Sequence, residues 1–219
     1  EGTLEERKKK RYEVWFNPQY LALLAEEQLV KEKVHLLYDA RICAVQYGED
    51  RITGVIAENE SGRFAITAKS YVDATGNALL YELAGLPTRM FSRGNILAGW
   101  YYYSDGKKVR LRPLGYAEVF DEDKKDTVKP LINRRFYGVD GQEVTDFLLL
   151  SHEEILKDIR KLKETSKELE PTAIAGMPQL RMIRCMEGEY CLKETENGVG
   201  FPDSIGMIAD WRKRGMVYE

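Results

Sequence analysis

The sequence predicts a mixed fold, part α/β and part α+β, on three observations. A helical pattern at 17–33 is followed by the short apolar run 34–38, which is typical of a buried strand. Closely spaced β-rich segments then follow, separated by turns, and predict an antiparallel meander. Farther along the chain, an amphipathic helix at 151–167 lies between β-rich stretches. A helix that leads into a buried strand belongs to an α/β sheet, and the meander adds an antiparallel excursion.

The first helix has a clear beginning in the sequence. Asn17 is a good N-cap, and Pro18 suits the first helical position because the nitrogen there needs no intrahelical partner. Apolar side chains then fall on one helical face. The meander strands are predicted at 41–47, 51–58 and 63–67, with turns at 48–50 and 59–62.

A further strand is predicted at 69–74, and it stops at Thr75-Gly76 before a helix at 78–84. Small residues at the carboxyl end of a strand let the backbone approach a ligand closely, and ligands of open α/β sheets bind at that end. Glycine also adopts backbone angles that other residues avoid. Taken alone, the tripeptide Ala74-Thr75-Gly76 is more typical of a plain strand ending than of a binding site.

Residues from 86 onward have a different pattern. Aromatic side chains cluster at 100–103, where they either line a substrate pocket or form ordinary core. Ser151 with Glu154 predicts a capping box. The other predicted elements are strands at 97–103, 109–112 and 134–139, a charged loop at 121–125, a turn at 140–141, a helix at 142–150, β structure over 174–194 interrupted at 177–178, a loop at 197–202 and an apolar segment at 204–211.

Composition excludes several classes of function. The formal net charge of −3 gives no electrostatic basis for binding nucleic acid or an anionic membrane, and no apolar run has the length of a membrane span. Three scattered cysteines argue against a disulfide framework, so a reducing, cytoplasmic compartment is expected. Two histidines far apart in the sequence give no metal-binding pattern, and no metal site is predicted.

The order of the motifs resembles the FAD-dependent oxidoreductase family found mainly in bacteria, within the glutathione-reductase-like group of flavoproteins. In that group, a meander precedes a strand that ends in Ala-Thr-Gly. The segments that carry the resemblance are 16–20, 51–56, 72–77, 178–184 with 188–190, and 203–206 with 210–212.

The resemblance implies FAD as cofactor and a small organic molecule as substrate, with hydride exchanged with the flavin. It places Ala74, Thr75 and Gly76 near the adenosine and pyrophosphate of FAD. The strand 42–45, with Ala44 and Val45, would offer backbone groups to the adenine. The resemblance further implies a partial FAD-binding domain at 1–85, a substrate domain at 86–203 and the start of a return to the FAD domain at 204–219.

Arg181 and Arg184 are the candidate substrate-binding residues, because arginine recognises carboxylates bidentately. Three residues apart, they share a face on a helix but point oppositely on a strand. The alternative is that both are surface arginines. The sequence indicates no nucleophile–base pair and leaves the catalytic residues and the oligomeric state open.

The chain departs from the family pattern in one important respect. It contains neither the G-x-G-x-x-G loop nor the acidic residue that follows it, and the closing glycine-bearing segment is also missing. The pyrophosphate would therefore have no helix N-terminus to bind. We expect an internal fragment that binds FAD weakly or not at all and is inactive alone. The alternative is a non-catalytic ligand- or carbohydrate-binding α+β module.

Overall fold

A computed structural model describes residues 3, 5–6, 16–115, 130–191, 193–196, 199–204, 207–210 and 215–218. The chain divides into two compact units, one formed by Glu1–Lys69 with Glu187–Glu219 and the other by Ser70–Met186. Each unit combines helices with small antiparallel sheets, so the predicted mixed fold class is confirmed. The predicted division at residues 85 and 203 stays a prediction.

The first unit begins with helix α1, Pro18–Lys31. The Asn17 side chain accepts hydrogen bonds from the backbone N–H groups of Gln19 (3.0 Å) and Tyr20 (3.1 Å), so the predicted cap and helix are confirmed. All residues of α1 are exposed.

The buried strand predicted at 34–38 is wrong, because Val34, the first residue of that run, belongs to the hydrogen-bonded end of α1. Lys33 has a φ of +59°, and its N–H donates to Val30 O. The N–H of Val34 then donates to Leu29 O, which completes a Schellman motif. Beyond it, Leu37 and Tyr38 are exposed, and the Tyr38 hydroxyl donates to Glu26 of α1 at 2.7 Å.

The meander is confirmed as three antiparallel strands in the order β1–β2–β3, namely Arg41–Gly48, Arg51–Asn59 and Gly62–Ile66. Glu49 and Asp50 both have positive φ angles, 51° and 59°, as a type I′ hairpin turn requires. Val55 and Ala57 of β2 are buried. Residues 194–196 form a 3₁₀ turn, and β9 (Met207–Asp210) pairs with β10 (Gly215–Tyr218).

The strand predicted at 69–74 is not a strand; this segment begins the second unit without ladder pairing, and Val72 is 86% exposed. Alternation alone does not make a strand, because a strand needs a neighbour to receive its backbone hydrogen bonds. The helix predicted after it is present as α2, Leu79–Leu83. The second unit also contains β4 (Thr88–Met90) paired with β8 (Arg184–Met186).

The main sheet of the second unit has the order β6–β5–β7, namely Val109–Leu114, Gly99–Ser104 and Glu170–Ile174. This confirms the strands predicted around 97–103 and 109–112. The predicted strand at 134–139 is wrong, since only Phe136 forms an isolated bridge, with Asn95. Most of the β structure predicted over 174–194 is also absent, because only β8 and the end of β7 form there. The charged loop predicted at 121–125 lies outside the described residues.

Helix α3, Gly141–Thr165, replaces the two helices predicted at 142–150 and 151–167. Asp140 is its N-cap rather than a turn residue, and its side chain accepts from Glu143 N at 2.8 Å. Ser151 is a buried residue in the middle of α3, and its hydroxyl donates to Ala98 O at 3.3 Å, so the predicted capping box is wrong. The core beside α3 contains Leu97, Phe136 and Phe147.

Candidate functional site

The turn between residues 73 and 77 is organised by the carboxylate of Asp73. Asp73 Oδ1 accepts from the backbone N–H of Thr75 at 3.0 Å and from its hydroxyl at 2.6 Å. Asp73 Oδ2 accepts from Leu80 N at 3.0 Å, and the Thr75 hydroxyl accepts from Leu79 N at 3.1 Å. Two side chains of the turn thereby bind the first N–H groups of α2.

These hydrogen bonds control the charge of Asp73. Partial burial acts to raise its pKa, but the hydrogen bonds from the Thr75 hydroxyl and from the backbone of Thr75, Leu80 and Tyr81 together lower the pKa below its ordinary value. Asp73 is therefore ionised near neutral pH and serves as an acceptor, not as a proton donor.

The backbone of the turn has two left-handed residues, Gly76 with φ of +78° and Ala78 with φ of +52°. A Cβ added to Gly76 would have no atom within 4 Å, so the glycine is needed for its φ angle and not for packing. Ala74, Thr75 and Gly76 are all exposed. The turn thus presents an open backbone edge, and its role toward a cofactor stays a prediction.

Arg184, at the start of β8, holds the far end of this turn. Its Nε donates to the carbonyl of Asn77 at 2.9 Å, and its Nη1 lies 3.0 Å from Glu82 Oε1 of α2. The arginine side chain is only 11% exposed. Arg184 is therefore mostly buried and not a surface arginine, and part of its guanidinium is engaged by a carbonyl and a carboxylate.

Arg181 has a different environment. It is exposed, and its backbone N–H donates to Asn95 Oδ1 at 3.1 Å. The structure therefore does not bring the two arginines together as one pair of substrate-binding groups. Their part in substrate binding stays a prediction, with Arg181 the accessible member.

The remaining predicted cofactor residues lie in the first unit. Ala44 is exposed and pairs with Ile56, while Val45 is half-buried and pairs with Val55. A bulge separates Ile42 from Ala44 in the ladder with β2. The role of this strand toward an adenine stays a prediction.

The aromatic strand β5 is largely structural. Tyr101 is fully buried, and its hydroxyl donates to Asp158 of α3 at 2.8 Å. Arg112 of β6 binds the same carboxylate through Nε (2.5 Å) and Nη2 (2.8 Å). Burial and then the bond to Asp158 raise the pKa of Tyr101, so the phenol stays protonated. This three-residue network joins α3 to the sheet.

Sequence reasoning missed Asp73, Asn77 and Glu82 as parts of the site. Asp73 had a signal in the sequence, because an aspartate side chain commonly accepts from the backbone N–H two residues later and so forms an Asx turn. The contact of Arg184 with Asn77 had none, because the two residues are 107 positions apart in the chain.

The described residues fit only part of an FAD molecule. The exposed turn around Gly76 accommodates the close approach of a ligand to the backbone, but it provides no glycine-rich loop at the start of a long helix to receive a pyrophosphate. Among the described residues, no three His, Cys, Asp or Glu side chains are grouped to hold a metal ion. None of the helices in the described part of the chain is long and apolar enough for a membrane span.

A comparison with models of known protein families gives a match over the first part of the chain. Residues 1–99 match the family model described as FAD dependent oxidoreductase, which is 99 of the 219 residues. The matched part includes the meander, the turn at 73–77 and α2, so it supports the family resemblance and an oxidoreductase type of function. No curated protein and no solved structure matches the chain.

Proposed function

We propose that this chain is the part of an FAD-dependent oxidoreductase that contacts the adenosine end of the cofactor, in an enzyme that exchanges hydride between a small organic substrate and the flavin. The match of residues 1–99 to the oxidoreductase family carries the proposal. The open, exposed backbone at Gly76 supports it, because a pyrophosphate or ribose can approach there without displacing a side chain.

The residues have distinct proposed roles. Ala74, Thr75 and Gly76 line the cofactor, and the backbone of Ala44 and Val45 faces the adenine. FAD supplies the redox chemistry when bound, and the protein orients the reactants and excludes water. Asp73 and Arg184 hold the turn in place from its two ends, through Thr75 and Asn77. Arg181 is the exposed cation offered to a substrate carboxylate.

The 219 residues by themselves bind FAD weakly or not at all. No G-x-G-x-x-G loop is present in them, and that loop with its helix N-terminus provides most of the hydrogen bonds to a pyrophosphate. We propose that flavin affinity and activity need further chain from the same reading frame, and that the enzyme works in a reducing, cytoplasmic compartment.

A comparison of two proteins tests the function. The product of the complete reading frame that contains these residues is purified beside the 219-residue chain, and both are examined for the visible absorption bands of oxidised flavin. We expect flavin in the longer protein and none in the shorter one. If the longer protein purifies without flavin and does not take up added FAD, the proposed function is wrong. Saturable binding of a sugar or peptide without flavin would instead support a binding module.

A substitution in the longer protein tests the role of the turn. Ala74→Trp fills the space beside Gly76 and should lower the flavin content at least about tenfold. A loss of about 1.4 kcal/mol of binding free energy is enough to weaken the affinity by that factor. Glu60→Trp is the matched control, an equally bulky change at an exposed residue of the β2–β3 turn. Equal flavin content in the two variants would contradict the assignment of the turn.

A further inference from the structure

A cavity of about 510 Å³ lies in the second unit beside the first turn of α3. Its apolar wall includes Met90, Phe91, Tyr137 and Val139. Tyr137 is 41% exposed and Val139 54% exposed, so these side chains present apolar surface to a ligand instead of packing in the core. The volume lies in the range that binds small organic molecules.

The charged groups of the cavity are mostly acidic. Among the described residues that line it are the acids Asp140, Glu143 and Asp146 and one cation, Arg134, which together carry three negative charges and one positive charge, a net of −2. Arg134 is already engaged, with Nη2 2.8 Å from Asp146 Oδ2 and its guanidinium carbon 4.7 Å from the centre of the Phe136 ring. Within the described part of the chain, the charges left without a counterion are therefore those of Asp140 and Glu143.

Two carboxylates already occupy the helix terminus in this cavity. Asp140 Oδ1 accepts from Glu143 N, and Glu143 Oε2 accepts from the N–H groups of Tyr137 (2.9 Å) and Gly138 (2.6 Å). An anion would find these donors taken and would meet two carboxylates. The second oxygens, Asp140 Oδ2 and Glu143 Oε1, accept no hydrogen bond from the described residues.

We propose that this cavity binds a small organic cation with an apolar body. The ammonium group lies between the carboxylates of Asp140 and Glu143, which supply the missing acceptors and counter-charge. The apolar body packs on Phe91 and Met90, and the Tyr137 ring adds a cation–π contact. The helix dipole opposes a cation with about half a charge, which is less than the net charge of the lining. The proposal does not depend on flavin.

Calorimetric titration of the 219-residue chain tests the charge preference. The probes are benzyltrimethylammonium, benzyl alcohol and benzoate, which share an aromatic body and differ in charge. We expect saturable binding of the cation, weaker binding of the alcohol and no detectable binding of benzoate. If benzoate or benzyl alcohol binds as tightly as the cation, or if the cation shows no saturable binding, the proposal is overturned.

Charge-neutralising variants identify the carboxylates. Asp140→Asn keeps a good N-cap, and Glu143→Gln keeps a side-chain carbonyl acceptor. Each should weaken cation binding about threefold to fivefold, the effect of one exposed ion pair. Glu164→Gln removes the same charge from the exposed far end of α3 and should leave binding unchanged. Wild-type affinity in both cavity variants would overturn the proposal.

A spectroscopic measurement locates the cation without any variant. Met90 is 39% exposed and lines the cavity, and the NMR resonance of its methyl group should shift in proportion to the bound fraction of benzyltrimethylammonium. This result stands even if Glu143→Gln fails to fold. A cation that saturates the protein without moving the Met90 resonance binds elsewhere, and the cavity assignment is then wrong.

Discussion

Helices α1 and α3 begin in the same way but are held by different forces. Asn17 caps α1 and Asp140 caps α3, each through a side-chain oxygen that accepts from the first helical N–H groups. Every residue of α1 is exposed, whereas α3 buries Phe147, Ser151 and Ile155. A helix of 14 residues without packing is marginal in water. End signals therefore specify where both helices begin, while packing determines how stable each one is.

Truncation of one apolar side chain in each helix should give the largest contrast. Phe147→Ala leaves a cavity where a fully buried ring contacts Phe136 edge-on, and should lower the free energy of unfolding by about 3–5 kcal/mol. Leu24→Ala changes a side chain that is 43% exposed and should cost less than about 0.5 kcal/mol. Urea denaturation measures both. Similar losses would show that α1 is packed in solution.

A second prediction concerns the close approach of α3 to β5. A Cβ on Gly99 would lie 2.3 Å from the Ser151 hydroxyl oxygen, so Gly99→Ala should lower the free energy of unfolding by about 1–3 kcal/mol. Ser151→Ala removes that oxygen and should recover part of the loss in the double variant. The interaction energy from a double-mutant cycle checks this. Additive losses would mean that the helix shifts away instead.

The pH dependence of the second unit should depend on Asp158. The hydrogen bond from Arg112, and then that from Tyr101, lower the pKa of Asp158 against the opposing effect of burial. A lowered pKa in the folded state stabilises the protein above the unfolded value of about 3.9, and this stabilisation is lost as the pH falls through the folded pKa. Asp158→Asn should cost about 1–2 kcal/mol at pH 7 and flatten the acid limb of stability below about pH 4.

The control for the acid limb is Asp39→Asn, a change at an exposed residue in the first unit. Denaturation midpoints for the wild type and both variants are measured from pH 2 to about pH 7. An unchanged acid limb in Asp158→Asn would contradict the role given to the network.

Local signals account for the parts of the fold that the sequence predicts correctly. The Asn17 cap and the meander turns depend on residues within a few positions of one another, so the sequence alone predicts them. Val34 was misassigned because an apolar residue suits a Schellman motif as well as a strand. Ser151 was misassigned because its partner, Ala98 O, is 53 positions away. Packing partners that are distant in the sequence decide both the long helix α3 and the contact of Arg184 with Asn77.

A change at the start of α1 is expected to act on the helix alone and to leave global stability unchanged. Asn17→Ala removes the acceptor of the Gln19 and Tyr20 N–H groups and should destabilise the helix by about 1 kcal/mol. Because α1 has no buried residue, this loss should appear as faster hydrogen exchange of its amides and not as a lower global stability. Asn17→Asp keeps the acceptor and should exchange as slowly as the wild type. If Asn17→Ala instead lowers the stability of the whole first unit, α1 is coupled to that unit by packing, and the contrast with α3 is one of degree only.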